Sequence, residues 1–170
     1  IINRDIFMHY FQTSSGEINI GDIVTCEIDN EWRNQMCKMH TAQHIVSALA
    51  AEEWGAKTVG NQIGYDRTRI DLEFENRDLF DSKHLESYIN DEIMKGHEVS
   101  MDFRAPKDLL DDPLVRIDLS RMPGHIDSFR TISIGEIDVC PCAGTHVENT
   151  KQIPPIQISK VKSKGSGKLR

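Results

Sequence analysis

Hydrophobic positions recur with two different periods along this 170-residue chain. In residues 33–54 the apolar side chains are spaced as on one face of a helix, and a glycine follows as a stop signal. A second helix is predicted over residues 82–95, with Asp81 or Ser82 as its cap and Gly96 at its end. These segments supply the helical part of a predicted α+β fold.

Alternation of apolar and polar residues predicts strands in much of the remaining sequence. Residues 58–63 and 68–74 form a predicted half-buried hairpin around a glycine-containing turn. Three further strands are predicted, over residues 18–28 after a turn, residues 99–103 and residues 129–139. We therefore expect a single α+β domain in which a mostly antiparallel sheet packs on helices.

Length and composition indicate one domain over residues 1–170, because 38% hydrophobic residues are enough for one core and too few residues remain for a second. The sequence contains no run of eighteen apolar residues and no basic segment before an apolar one, so neither a membrane span nor a signal peptide is predicted. The chain opens on Ile1, and residues 1–20 are interpreted as the remnant of a short N-terminal segment.

The four cysteines are predicted to be reduced, since a chain of this size does not need disulfides to stabilise its core. A cytoplasmic location fits that prediction. Cys26 and Cys37 are interpreted as small buried thiols. Cys140 is separated from Cys142 only by a proline, and it is either a spare ligand or simply a neighbour.

Two pairs of residues, each with four-residue spacing, predict a metal site. His40 and His44 lie in the middle of the first helix, where this spacing puts both rings on one face. Cys142 and His146 form the second pair, about a hundred residues later. Three nitrogens and one sulfur suit Zn²⁺ better than magnesium or calcium, which prefer oxygen. Small residues around both pairs leave room for an ion and a ligand.

The sequence leaves the role of this metal open, because four side chains would close the shell as in structural zinc, whereas catalysis keeps a position open. A protease of the His-Glu-x-x-His type is disfavoured, since Thr41 occupies the position of the required glutamate. A zinc finger is also disfavoured, because the two pairs lie at opposite ends of a domain with its own core. His125 is interpreted as a loop residue and not as a fifth ligand.

The C-terminal twenty residues are basic, although the whole chain carries a formal net charge of −7. They contain no acidic residue, and the cations assigned to nucleic-acid contacts are Lys160, Lys162, Lys164, Lys168 and Arg170. Lysines neutralise phosphates and the interspersed glycines allow close approach, so this tail is predicted to follow a phosphate backbone. A solvated terminal strand is the alternative.

Three motifs resemble the editing domain that alanyl-tRNA synthetases share with their freestanding AlaX-type relatives, with threonyl-tRNA synthetases more distant. They are Met39-His40-Thr41-Ala42-Gln43-His44-Ile45, Cys142-Ala143-Gly144-Thr145-His146-Val147 and Lys162-Ser163-Lys164-Gly165. The resemblance covers most of the chain, from about residue 21 to the end. Because this sequence shows no aminoacylation module, the resemblance points to a freestanding AlaX-type protein.

The resemblance implies a trans-editing hydrolase that removes the amino acid from mischarged tRNA(Ala), held by its acceptor stem. The seryl ester is the expected substrate, with the glycyl ester as a second one. The resemblance also implies that His40, His44, Cys142 and His146 bind zinc. It associates Thr41 with sensing the serine hydroxyl. Gln62 and Gly144 are the other expected substrate contacts. The alternative function is a non-catalytic RNA-binding module in which zinc only staples the fold.

Overall fold

The computed structural model describes residues 15–116, 126–165 and 167–170, together with the backbone of residues 2–3 and 6–7. His125, interpreted above as a loop residue, lies outside these ranges, as does most of the predicted N-terminal remnant. Among the helices that are described, none is both long enough and apolar enough to cross a membrane.

Both predicted helices are present. Helix α1 spans Asn30–Trp54, beginning where the Asp29 carboxylate accepts a hydrogen bond from a first-turn amide and ending at Gly55. Helix α2 spans Ser82–Lys95 with Asp81 as its N-cap, and a short helix α3 at Pro106–Leu110 follows without having been predicted. Among the described residues, single 3₁₀ turns lie at Arg77–Leu79 and Thr150–Gln152.

The named strands pair in antiparallel fashion, which confirms the α+β prediction. In chain order they are β1 Ile2–Asn3, β2 Ile6–Phe7, β3 Lys57–Gln62, β4 Arg69–Glu73, β5 Val99–Arg104, β6 Phe129–Ile134, β7 Asp138–Pro141 and β8 Lys168–Leu169. They form a β1-β2 pair and two three-stranded sheets, of order β3-β4-β8 and β5-β6-β7. The C-terminal tail therefore returns to the sheet that contains the predicted hairpin.

Two strand predictions were wrong. Residues 129–139 form two strands instead of one, because Gly135 adopts a positive φ of 45° and turns the chain back on itself. Residues 22–29 form no regular element, and Ile20 and Ile23 are fully exposed. Apolar alternation alone does not make a strand, because the backbone also needs a neighbouring strand to pair with.

The main core forms where both long helices pack on the strands. Ile45 and Leu49 of α1 meet Ile89 of α2, and Ile132 and Ile134 of β6 complete the centre of this cluster. The apolar spacing that predicted the helices thus corresponds to their buried faces. A smaller cluster joins α3 to β6 and β7 through Leu109, Phe129 and Val139.

All four cysteines, each within the described ranges, are free thiols as predicted. Cys37 is buried in α1, in agreement with its interpretation. Cys26 is exposed, so its assignment as a buried thiol was wrong, because the strand that would have buried it does not form.

Candidate metal centre

Helix α1 and the loop after β7 bring the four predicted metal ligands together. His40, His44, Cys142 and His146 each offer a ligand atom, and these atoms all lie within 4.8 Å of one another. The Cys142 sulfur is 3.6 Å from His40 Nε2 and 3.5 Å from His146 Nε2. The two pairs predicted from sequence spacing therefore form one cluster, as expected.

Gly144 allows the loop to approach α1 closely. A Cβ at this position would lie 2.1 Å from His40 Cε1, which no packed structure tolerates. Its amide also points at the Cys142 sulfur, at 3.4 Å, and its carbonyl accepts a hydrogen bond from Arg130 at 2.8 Å. The structure thus gives Gly144 a packing role beside His40, and its contact with substrate stays a prediction.

Each histidine of the cluster has a partner at Nδ1, which leaves its Nε2 for an ion. His44 Nδ1 lies 2.8 Å from the Asp138 carboxylate, and His40 Nδ1 lies 3.3 Å from the backbone carbonyl of Thr145. His146 Nδ1 lies 3.1 Å from the hydroxyl of Thr41. Such partners fix the tautomer and ring orientation of metal-binding histidines.

Asp138 and Arg116 belong to this site although the sequence analysis did not single them out. Asp138 begins β7 and is fully buried. One of its carboxylate oxygens contacts His44, and the other forms a short ion pair with Arg116. No local motif marks either residue, and the strand pattern gives no signal, because Asp138 and its neighbour Val139 are both buried at the start of β7.

Thr41 lies beneath the cluster and is fully buried. Its hydroxyl donates to the Cys37 carbonyl at 2.9 Å, and the Val147 amide donates back to it at 3.3 Å. With the His146 contact included, the hydrogen-bonding positions of this hydroxyl are occupied by the protein. The structure thus gives Thr41 a role in the framework of the cluster, and its contact with a serine side chain stays a prediction.

The electrostatics of the cluster favour a bound cation. Burial raises the pKa of the Cys142 thiol, but hydrogen bonds from the surrounding histidines and the Gly144 amide outweigh it and bring the pKa to about 3. Burial lowers the pKa of His44, yet Asp138 and Cys142 raise it to about 9. Two anionic groups therefore stabilise positive charge at this position.

The donor set and its spacing fit zinc. A tetrahedral zinc ion with bonds of about 2.3 Å to sulfur and 2.0 Å to nitrogen places those two ligands about 3.6 Å apart. The two sulfur–nitrogen distances at Cys142 match that value. Cys140 is outside the cluster, and burial raises the pKa of its thiol to about 12, so it is a neighbour and not a spare ligand.

Comparison with known proteins shows which proteins this chain resembles. Residues 129–170, which carry Cys142 and His146, match the family model of the threonyl and alanyl tRNA synthetase second additional domain. The chain is 34% identical to the alanyl-tRNA editing protein AlaX-M of Saccharolobus solfataricus, over 92% of this chain and 65% of that protein. The chain is therefore similar to proteins of the alanyl-tRNA editing-domain family.

Further relatives show similar levels of identity. AlaX-M of Methanosarcina mazei is 29% identical over 94% of this chain and 64% of that relative. AlaX-L of Pyrococcus horikoshii is 29% identical over 81% of this chain and 33% of that relative. The chain thus spans just under two thirds of the length of the AlaX-M relatives it matches.

Gln62 is the further side chain that the resemblance singled out as a substrate contact. Gln62 is exposed at the end of β3, opposite Arg69 in the hairpin. Within the part of the chain that the structure describes, no hydrogen bond links it to the cluster. Its contact with substrate stays a prediction.

The basic C-terminal tail folds back on itself through backbone hydrogen bonds. Lys162 and Arg170 exchange two backbone hydrogen bonds, of 2.7 and 2.8 Å. Arg170 also binds Asp71 through two contacts of 2.7 and 3.0 Å, and Lys168 lies 3.2 Å from Glu73. These two cations therefore bind acidic residues of β4, whereas the three lysines at 160, 162 and 164 are exposed.

Proposed function

We propose that this chain is a zinc-dependent hydrolase that removes the wrong amino acid from mischarged tRNA(Ala). It acts as a freestanding trans-editing protein, and its substrate is the seryl ester, with the glycyl ester as a second one. The observation that carries this proposal is the cluster of His40, His44, Cys142 and His146 between α1 and the β7 loop, where one ligand atom from each residue lies within 4.8 Å of the others. The proposed substrate also implies a cytoplasmic location.

His40, His44, Cys142 and His146 are the residues that would hold zinc in this proposal. When bound, the ion supplies Lewis acidity for the ester carbonyl or a nucleophilic water, or it anchors the amino group of the substrate. The protein supplies orientation. Arg130 fixes the loop by donating to the carbonyls of Cys142 and Gly144, so the ligands keep their places while substrate binds.

Selectivity for serine over alanine is assigned to residues other than Thr41. The Thr41 hydroxyl is held by three protein groups, so using it for substrate would break contacts that stabilise the ligand loop. Gln62 and Gly144 are the other candidates from the sequence, and the exposed amide of Gln62 can donate and accept hydrogen bonds. A group that hydrogen-bonds the serine hydroxyl would reject the alanyl ester by roughly 10⁴-fold.

The three exposed lysines of the tail are proposed to hold the acceptor stem. Lys160, Lys162 and Lys164 follow one another on alternate residues, and their spacing along an extended chain is about 6.6 Å per pair. Successive phosphates along a nucleic-acid strand repeat on a comparable scale, so adjacent lysines can neutralise adjacent phosphates. Lys168 and Arg170 serve the fold instead, through their ion pairs with β4.

A second candidate is the non-catalytic RNA-binding module, which one observation favours. All four ligand atoms lie close enough to bind one ion together, and a closed shell of this kind is typical of structural zinc. In that case zinc would join α1 to the β7 loop without reacting, and the tail lysines would bind RNA for another purpose.

Hydrolysis of three esters separates these functions. Seryl-, glycyl- and alanyl-tRNA(Ala) are incubated with the zinc-loaded chain and with the His44→Ala and His84→Ala variants. His84 is an exposed histidine of α2 and serves as the matched control. The proposal predicts rapid loss of the seryl ester, sparing of the alanyl ester, and loss of activity in His44→Ala alone. A zinc-loaded chain that hydrolyses none of the esters would contradict it and leave the binding module.

A further inference from the structure

We propose that Asp138, held in place by Arg116, is a positioning residue that fixes His44 for metal binding. This inference rests on the proposed zinc site, but it concerns two residues outside the four ligands. It assigns a role to the only carboxylate that contacts a ligand within the described residues.

The geometry of the three residues forms a chain from β7 to the metal cluster. Asp138 Oδ2 lies 2.8 Å from His44 Nδ1, and the opposite oxygen pairs with Arg116 Nη2. Both sides of the carboxylate are therefore occupied, and its side chain has no exposed surface. A group held from two sides in this way has little freedom to rotate, and it transmits that restriction to the imidazole.

The chemistry of a carboxylate determines which nitrogen of His44 is protonated. A carboxylate oxygen accepts hydrogen bonds, so the 2.8 Å contact makes Nδ1 of His44 the donor and leaves Nε2 as the nitrogen that can bind an ion. His40 and His146 are held by a backbone carbonyl and a hydroxyl, which are neutral. The contact with Asp138 is the charged one of the three, and it should restrain its histidine most strongly.

Arg116 explains why this carboxylate can stay buried. A fully buried carboxylate without a counter-charge is strongly disfavoured, and the guanidinium provides that charge from the side opposite His44. The Asp138–Arg116 pair is neutral overall, and Asp138 still offers a carboxylate oxygen to Nδ1 of His44. Arg116 is half-exposed and thus reaches the buried carboxylate from the edge of the fold.

A purely structural ion pair is the competing explanation, and the chain contains a matched example. Arg104 and Asp112 are joined at 2.7 Å and are also partly buried, but neither contacts a metal ligand. If Asp138 only stabilised the fold, removing its charge should leave zinc affinity as unaffected as removing the charge of Asp112 does. If Asp138 positions His44, only its removal should change metal binding.

Zinc affinity, measured by competition with a chromogenic chelator, distinguishes the two explanations. Asp138→Asn and Asp112→Asn are compared with the wild-type chain, and circular dichroism reports whether each variant is folded. We expect Asp138→Asn to bind zinc about 10–100-fold more weakly and Asp112→Asn to bind it as the wild type does. Equal zinc affinity in wild type and Asp138→Asn, or equal losses in both variants, would overturn the proposal.

A measurement on the unchanged protein keeps the test valid if Asp138→Asn does not fold. Nitrogen NMR of the zinc-loaded wild type identifies which ring nitrogen of His44 carries a proton. The proposal requires a protonated Nδ1 hydrogen-bonded to a carboxylate and a metal-bound Nε2; the opposite arrangement would overturn it. Neither experiment uses tRNA, so failure of the proposed hydrolase function would not be mistaken for failure of this inference.

Discussion

Thr41 and His146 are 105 residues apart in the chain, yet the Thr41 hydroxyl lies 3.1 Å from Nδ1 of the His146 ring. The same hydroxyl bonds to the Cys37 carbonyl and receives the Val147 amide. One buried side chain thus joins a turn of α1 to the loop that carries the later ligand pair. This contact makes Thr41 part of the framework of the metal centre.

Replacing Thr41 with valine should therefore weaken the framework more than the selectivity. The variant leaves the Val147 amide and His146 Nδ1 without their partner, so the free energy of unfolding should fall by about 1–3 kcal/mol. Zinc affinity should fall with it. The ratio of seryl to alanyl ester hydrolysis in the remaining activity should stay unchanged.

Urea unfolding and chelator competition measure these effects, and Thr145→Val is the matched control. Thr145 lies in the same loop, but its side chain is exposed, and the contact with His40 uses its backbone carbonyl. A Thr41→Val variant with unchanged zinc affinity and a lost preference for the seryl ester would instead restore Thr41 as the serine contact.

Gly144→Ala should displace His40. The added Cβ would lie within 2.1 Å of that ring, so either the ring or the loop must move. We expect zinc affinity to decrease on the order of tenfold or more, because ligand orientation controls affinity. Chelator competition measures this change. The neighbouring exposed residue provides the control, since Ala143→Ser adds an atom toward solvent, and an equal loss in both variants would argue against a specific clash.

The Glu92 network at the end of α2 should make stability depend on acid pH. Burial raises the pKa of Glu92, but hydrogen bonds from Lys95 and His97 outweigh it and lower the pKa below the ordinary value of 4.5. The pKa of Glu92 is lower in the folded state than in the unfolded state. Its contribution to the free energy of unfolding is therefore complete above the unfolded-state pKa, and it is lost as the pH falls through the folded-state pKa. His97, which is half-buried, is therefore part of a structural network.

Urea unfolding at pH 7 and pH 4 tests this dependence. The difference between the wild type and Glu92→Gln should be large at pH 7 and smaller at pH 4, while the exposed Glu75→Gln control should follow the wild type at both. A Glu92→Gln variant that differs from wild type equally at both values would exclude a lowered pKa as the cause.

Two groups of cations in the tail should respond differently to substitution. Changing Lys162 or Lys164 to alanine should weaken tRNA binding and reduce the slope of log affinity against log salt by about one per lysine. Arg170→Ala should leave that slope unchanged and reduce stability only slightly, because its partner Asp71 lies near the surface.

Filter binding over a series of salt concentrations measures the slopes. Lys107→Ala, an exposed change on α3, is the control for general charge effects. If Lys162→Ala and Lys107→Ala changed the slope equally, the tail would have no special role in holding tRNA.

The parts of the fold that could be predicted are those with local signals. Helix α1 was predicted because its apolar residues repeat at helical spacing and Gly55 ends it. The metal cluster was predicted because each ligand pair has the spacing of one helical turn, although Cys142 and His146 in fact lie on a loop after β7. The residue types of the four ligands, three histidines and one cysteine, therefore predicted the site better than their expected secondary structure did.

The parts that could not be predicted depend on distant contacts. Asp138 is buried because Arg116 and His44 approach it from two sides, and nothing near it in the sequence shows this. The opposite failure occurred at residues 18–28, where a strand-like pattern lacks a pairing partner among the described residues. The position of Thr41 beside His40 in its motif suggested a contact with substrate. Only the three-dimensional structure shows which atoms its hydroxyl contacts.

The central claim is that α1 and the loop after β7 share one zinc ion, bound by His40, His44, Cys142 and His146. X-ray absorption at the zinc edge on the zinc-loaded chain tests this claim. We predict one sulfur ligand at about 2.3 Å and three nitrogen ligands at about 2.0–2.1 Å, with the sulfur lost in Cys142→Ala and retained in Cys140→Ala. A shell without sulfur, or one whose sulfur disappears in Cys140→Ala, would contradict the account.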